Sequence, residues 1–186
     1  MELLMHPLEE LTAVRRSHPS QVFVAHLNIN SLQNKFDKVL LMNEKLRMGV
    51  FVITETKLDS SYPDVQFKIP DYRIYRQDRK IKPSKNYKTI EVLPLEVNFS
   101  GKRVMVLGIY SPPRKEGAEY YYNVEEELNH VTSWAMAQCP TLALLGDLNL
   151  DRLKPREREG KFLIDLEEIN QFTCLITEPT RVTPTS

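Results

Sequence analysis

The order of apolar and polar positions divides the chain into segments of period two and segments of helical period. Gln21 to Leu27 is an apolar, β-branched run that opens into Asn28-Ile29-Asn30-Ser31, the pattern of a buried strand ending in a loop. Phe36, Val39, Leu40 and Leu46 then fall near helical spacing, with Ser31 as the expected cap and Gly49 as the expected stop. Val50 to Thr54 reads as a second buried strand, and Glu55 follows where it ends. Strand, helix and strand in succession make a βαβ unit.

From Ser60 to Pro70 the chain reads as loop, because Tyr62-Pro63 and Ile69-Pro70 steer the backbone away from helix. Tyr72 to Arg76 is expected to be a short strand. Leu93, Leu95, Val97 and Phe99 alternate as a half-buried strand should, and a turn at Ser100-Gly101 leads into Arg103 to Tyr110, a predicted hairpin that Pro112 and Pro113 end. Between Ala118 and Gln138, Val124, Leu128, Val131 and Ala135 recur at helical spacing, so a long amphipathic helix is predicted, with Tyr120, Tyr121, Tyr122 and Trp134 packed around it. Thr141 to Leu145 is a short apolar run between Pro140 and Gly146, hence another buried strand. Phe162, Leu166 and Ile169 mark the inward stripe of a further helix, and a short strand is expected near Cys174 to Thr177. Interleaved strands and helices imply an α/β layered fold. Residues 1–20 read as a leader of unknown role in which Leu3, Leu4, Leu8 and Leu11 suit a short amphipathic helix, and residues 21–186 as one domain.

Composition narrows the partners. Lys plus Arg equals Asp plus Glu at 25 each, so no overall basic excess advertises nucleic acid, and any such partner must be met by local patches. Two stretches qualify: Arg73 to Lys88, and the loop carrying Arg152, Lys154, Arg156 and Arg158. Each reads plainly as a solvated loop and more sharply as a phosphate-steering patch. Cys139 and Cys174 lie too far apart for a disulfide framework or a paired zinc site, which suggests a reducing, intracellular setting. No apolar stretch approaches the length of a membrane span, so no membrane partner is expected.

Four strand ends present polar groups: Asn28, Glu55, Tyr110, and Asp147 with Asn149. Alone, Gly146-Asp147-Leu148-Asn149 is equally well a strand-to-loop turn whose side chains bond their own backbone. If the strands share an edge, however, their polar ends converge on a site suited to a hard divalent cation such as Mg²⁺, which prefers carboxylate oxygen. Such an ion offsets the charge that grows on a phosphoryl group during displacement. Glu55 is the natural metal ligand. Asp147 is then expected to orient or deprotonate the attacking water, Asn149 and Asn28 to hold phosphate oxygens or fix the carboxylates, and Tyr110 to donate to the developing oxyanion.

The ordered segments Leu27-Asn28-Ile29-Asn30-Ser31-Leu32, Thr54-Glu55-Thr56, Gly108-Ile109-Tyr110-Ser111-Pro112-Pro113 and Leu145-Gly146-Asp147-Leu148-Asn149 resemble the endonuclease/exonuclease/phosphatase superfamily. Within it they look closest to the apurinic-type endonuclease domains of non-long-terminal-repeat retrotransposons, and Thr177-Glu178-Pro179-Thr180-Arg181-Val182-Thr183 is similar to theirs as well. The resemblance implies a four-layer α/β/β/α sandwich of the DNase I-like type and hydrolysis of DNA phosphodiester bonds with Mg²⁺, Mn²⁺ being a substitute. It further implies Arg114 and Arg152 as substrate-binding residues, a nuclear location, and a reverse-transcriptase domain in the parent polypeptide that is absent here.

Two departures qualify it. A Gly-rich strand of the family is replaced by the Lys-rich stretch between Arg79 and Ile90, which should leave neighbouring strand edges unpaired and the core short of side chains. The family's final Asp-His motif would fall beyond Ser186; none of His6, His18, His26 and His130 has that context, and the family's active-site Thr corresponds to Thr180 or Thr183. The sandwich is therefore expected to be incomplete and the nuclease impaired. The alternatives are a non-catalytic remnant that at most binds nucleic acid, and a phosphatase or phospholipid phosphodiesterase of the same superfamily.

Overall fold

The computed structural model describes residues 5–77, 87–113 and 117–178. It is a mixed α/β structure with helices and two sheets. The predicted βαβ unit is present: β1 (Val24–Asn28) and β2 (Val50–Thr54) pair in parallel, with Asn28 opposite Thr54, and α2 (Phe36–Leu46) connects them, α1 being Met5–Ser17. Alternation along both strands decides what each face meets. Leu27, Phe51 and Ile53 turn towards Val39 and Phe36 of α2 and towards Leu58 and Phe67, the latter in a single 3-10 turn at Asp64–Phe67. Ser31 does not cap α2; it lies in a left-handed loop at φ 82°, and the helix begins at Phe36 and ends at a left-handed Arg47, ahead of Gly49. In α1, Leu8 is buried against Leu46 and Met48, whereas Leu11 stays 45% exposed. Among the described residues, the leader helix is thus seated on the βαβ unit through Leu8, with Arg15 lying over the Phe23 ring.

The second sheet has the order β3 (Glu91–Phe99), β4 (Lys102–Tyr110), β5 (Leu142–Asp147). The predicted hairpin is the antiparallel β3–β4 pair, while β5 returns parallel to β4 through α3 (Ala118–Gln138), with Tyr110 opposite Asp147. Val124, Leu128, Val131 and Ala135 of α3 are each no more than 1% exposed and pack on Val92, Met105, Leu107 and Ile109. Tyr122 and Trp134 do not join them, at 61% and 41% exposed. Ahead of β3, the Glu127 carboxylate of α3 accepts the backbone N–H groups of Lys88, Thr89 and Ile90 at 2.6, 2.9 and 3.1 Å and the Thr89 hydroxyl at 2.6 Å. α4 (Arg158–Asn170) buries Leu163 and Leu166, but Ile169 of the expected stripe is 76% exposed, because its turn lies past the stretch of core the helix covers.

The remaining faces of the two sheets look at each other. Val52 of β2 stands over Gly108 of β4, where a Cβ would come within 3.1 Å of the valine. Towards β3 the contact opens into a cavity of about 700 Å³ lined by β2, by Leu93, Leu95 and Val97, and by the segment around Tyr72 and Ile74. Tyr72 to Arg76, expected as a strand, forms none: among the described residues it has the cavity rather than a neighbouring strand at its side. It is held by the Tyr72 hydroxyl donating to Met48 O, and by Arg76, which donates to Tyr62 O, Asp59 O and Asp64. Cys174 to Thr177 likewise forms no strand; Leu175 is 85% exposed and pairs with no strand among the described residues. The Lys-rich residues 78–86, Arg114, Thr180 and Thr183 lie outside the described residues.

Candidate active site at the strand ends

β1, β2, β4 and β5 run parallel within their pairs, and their carboxyl ends meet at one rim. Pairing continues past the strands there: Ile29 N–H donates to Thr54 O at 3.1 Å, Ser31 N–H to Glu55 O at 2.8 Å and Ser111 N–H to Asp147 O at 2.9 Å. The chain leaves the rim through left-handed residues, Asn30, Ser31, Glu55, Lys57 and Asn149 all having φ between 46 and 82°. Asn accepts that conformation readily; Glu55 does so at a cost of roughly 1 kcal/mol, a form of strain common where side-chain direction matters.

The side chains converge. Asn28 Nδ2 donates to Glu55 Oε1 at 2.9 Å and, across 119 residues of sequence, to Asp147 Oδ2 at 2.7 Å. The Tyr110 hydroxyl, buried from solvent, donates to the same Glu55 oxygen at 3.3 Å. Asn149 turns its backbone N–H onto Asp147 Oδ1 at 3.1 Å and its amide onto Ser111 O at 2.7 Å. The Asp147 carboxylate is therefore bonded through both oxygens, and Asn28 stands between the two carboxylates. Asn28, Glu55, Tyr110, Asp147 and Asn149 form one constellation, reachable from solvent on the Asn28 side.

Beneath it His26 Nε2 lies 2.9 Å from Thr54 Oγ1, one residue before Glu55. Burial depresses the imidazole pKa below its ordinary value, an effect that the nearby negative charge of Asp147 partly opposes. His26 is thus a partly buried strut behind the site. Thr54 and Ser111, with Tyr120 behind it, are contributors to the site's architecture that strand patterning did not single out, because a hydroxyl next to a motif residue gives no signal of its own.

Arg152 is not directed at this constellation. Its guanidinium grips both oxygens of Glu167 on α4 at 2.5 and 2.6 Å, which raises its pKa further and commits its planar donor face. Two more cations of that basic loop are also matched: Lys154 lies 3.7 Å from both Asp151 and Glu157, and Arg158 grips Glu125 at 2.8 Å while stacking over Tyr121. Acidic partners thus already meet most of the positive charge that the sequence offers to a phosphate backbone there.

The fit to a hard cation can be judged from the donor set. Among the described residues, no group of three or more His, Cys, Asp or Glu gathers as a metal centre. Mg²⁺ needs no such group, since it is commonly held by one or two carboxylates together with waters and substrate phosphate. Two carboxylates within 3 Å of one amide nitrogen make that kind of donor set, and turning the Asn28 amide over would add an oxygen to it. No helix among the described residues is long and apolar enough to cross a membrane. No family model, curated protein or solved structure matches the chain.

Proposed function

We propose that the chain is a Mg²⁺-dependent phosphodiesterase of the endonuclease/exonuclease/phosphatase type, acting on DNA, and that its two facing sheets with α2 and α3 outside them are the layers of a DNase I-like sandwich. One observation carries the reading: Glu55 and Asp147, borne on different sheets, are drawn to a single amide nitrogen at an open rim. Glu96 and Glu167, by contrast, are each matched to an arginine.

In this reading Glu55 holds the ion, with Asn28 beside it, and the ion when bound would supply charge stabilisation at the phosphoryl oxygens. Asp147, held by Asn149 N–H and Asn28, orients the attacking water and takes its proton. Tyr110, whose one hydroxyl proton lies on Glu55, keeps that carboxylate turned towards the rim, and only by giving up this bond would it donate to a phosphate oxygen. A reading as a purely electrostatic nucleic-acid binder is weaker, because Arg152, Lys154 and Arg158 are engaged by acids. Incubation of the full chain with supercoiled plasmid and millimolar Mg²⁺ is expected to give slow nicking that EDTA abolishes and Asp147→Asn removes. A chain folded by circular dichroism that leaves the plasmid intact with Mg²⁺ and with Mn²⁺ refutes the proposal.

A further inference from the structure

Ser111 is fully buried beside the rim, and each of its polar atoms is engaged. Its N–H donates to Asp147 O at 2.9 Å and its carbonyl accepts from Asn149 Nδ2 at 2.7 Å, so it grips the chain on both sides of Leu148. Its hydroxyl lies 2.8 Å from the Tyr120 hydroxyl, and that phenol also donates to Pro112 O at 2.8 Å. A phenol has one proton. With that proton on Pro112 O, the Ser111 hydroxyl must be the donor to Tyr120, and each hydroxyl proton in the chain of bonds has a single destination.

Tyr120 belongs to the first turn of α3, with its ring packed on the cluster beneath the second sheet and edge-to-face with Tyr121 at 6.0 Å. The helix therefore reaches the rim through one hydroxyl group. We infer that Tyr120 is a positioning residue for Asp147 and Asn149: it pins Ser111 and Pro112, and the Ser111 carbonyl holds the Asn149 side chain so that its backbone N–H, at φ 50°, stays on Asp147 Oδ1. Networks of this kind, closed and buried, set geometry more tightly than their separate bonds suggest. The catalytic consequence rests on the hydrolytic reading above; the mechanical link does not.

The test is Tyr120→Phe in the full ¹⁵N-labelled chain, beside Tyr87→Phe. Tyr87 loses a comparable hydroxyl bond, 3.0 Å to His130, near the middle of the same helix and about 15 Å along it from Tyr120. The expected result is that the Asn149 side-chain amide and the Asp147 and Asn149 backbone amides shift in Tyr120→Phe and stay in place in Tyr87→Phe. Plasmid nicking should then fall about tenfold in kcat with KM unchanged, the size expected for a misplaced reacting group. Unmoved Asn149 resonances in Tyr120→Phe, or equal movement in both variants, overturn the inference. If Tyr120→Phe does not fold, Ser111→Ala severs the same link from its other end, and the same amides must move. Absence of nicking in the unsubstituted chain would count against the hydrolytic reading alone, since the resonances still decide the link.

Discussion

Gly146 is the position at which a single methyl group should do most harm. It sits on β5 opposite Ile109, one residue before Asp147, with φ 156°, and a Cβ built there would lie 1.7 Å from Ile109 O and 2.6 Å from its carbonyl carbon. The obstacle is backbone in a parallel ladder, at the pair next to its carboxyl end, so no side-chain rotation can relieve it. Moving from 1.7 Å to an ordinary contact of 3.4 Å requires the strands to part by about 1.7 Å. Two ladder bonds near the Ile109 pair would then be lost inside the structure, at roughly 1–2 kcal/mol each once the orphaned groups are counted. Displaced core side chains add roughly 1–3 kcal/mol, for a total on the order of 4 kcal/mol. For a domain of this size that is a fall of roughly 8–16 °C in Tm. Urea and thermal denaturation of Gly146→Ala against the parent chain measure it directly. A loss under about 1 kcal/mol would show that β5 does not approach β4 as described, and that the placement of Asp147 does not depend on this glycine.

Two further outcomes follow from groups away from the rim. Glu127→Gln can keep its carbonyl oxygen on Thr89 and Ile90 but then sets an amide N–H₂ against the Lys88 N–H, and it also loses the carboxylate charge; it is expected to cost roughly 1–3 kcal/mol in urea denaturation, and a loss near zero would mean that the carboxylate does not anchor the entry to β3. For His26 the folded pKa lies below the ordinary 6.5, so the unfolded chain binds more protons as pH drops beneath that value. Stability should accordingly be complete above pH 6.5 and decline as pH falls below it, and His26→Gln should flatten that part of the curve; an identical slope in parent and variant refutes the assignment.

What sequence patterning made legible, and what it did not, follows from the range of the interactions involved. The β1–α2–β2 unit, the β3–β4 hairpin and the Val124 to Ala135 stripe were readable because each is written in a local period that burial enforces. That Asn28, Glu55, Tyr110, Asp147 and Asn149 stand at strand ends was readable because every one follows an apolar run; that the ends come from two facing sheets rather than one was not, because sheet pairing leaves no local period. Tyr72 to Arg76 and Cys174 to Thr177 misled for the complementary reason: a β-prone composition forms a strand only beside another, and neither segment has a strand partner among the described residues. The engagement of Arg152 by Glu167 was hidden because it depends on how α4 docks, and the role of Ser111 because a buried serine between tyrosine and proline looks like any other loop residue.

The Asn28 amide has a consequence for how the protein responds to warming. It is a direct hydrogen-bonded tie between an acid carried by the first sheet and one carried by the second, and its two bonds, 2.9 and 2.7 Å, tolerate little sliding of one sheet over the other. The seam it closes is also the one hollowed by the large cavity, where fewer side chains resist such sliding. Breathing at this seam scatters the acid pair while both helices still cover their sheets, so heat should dismantle the rim at a lower temperature than it melts the molecule.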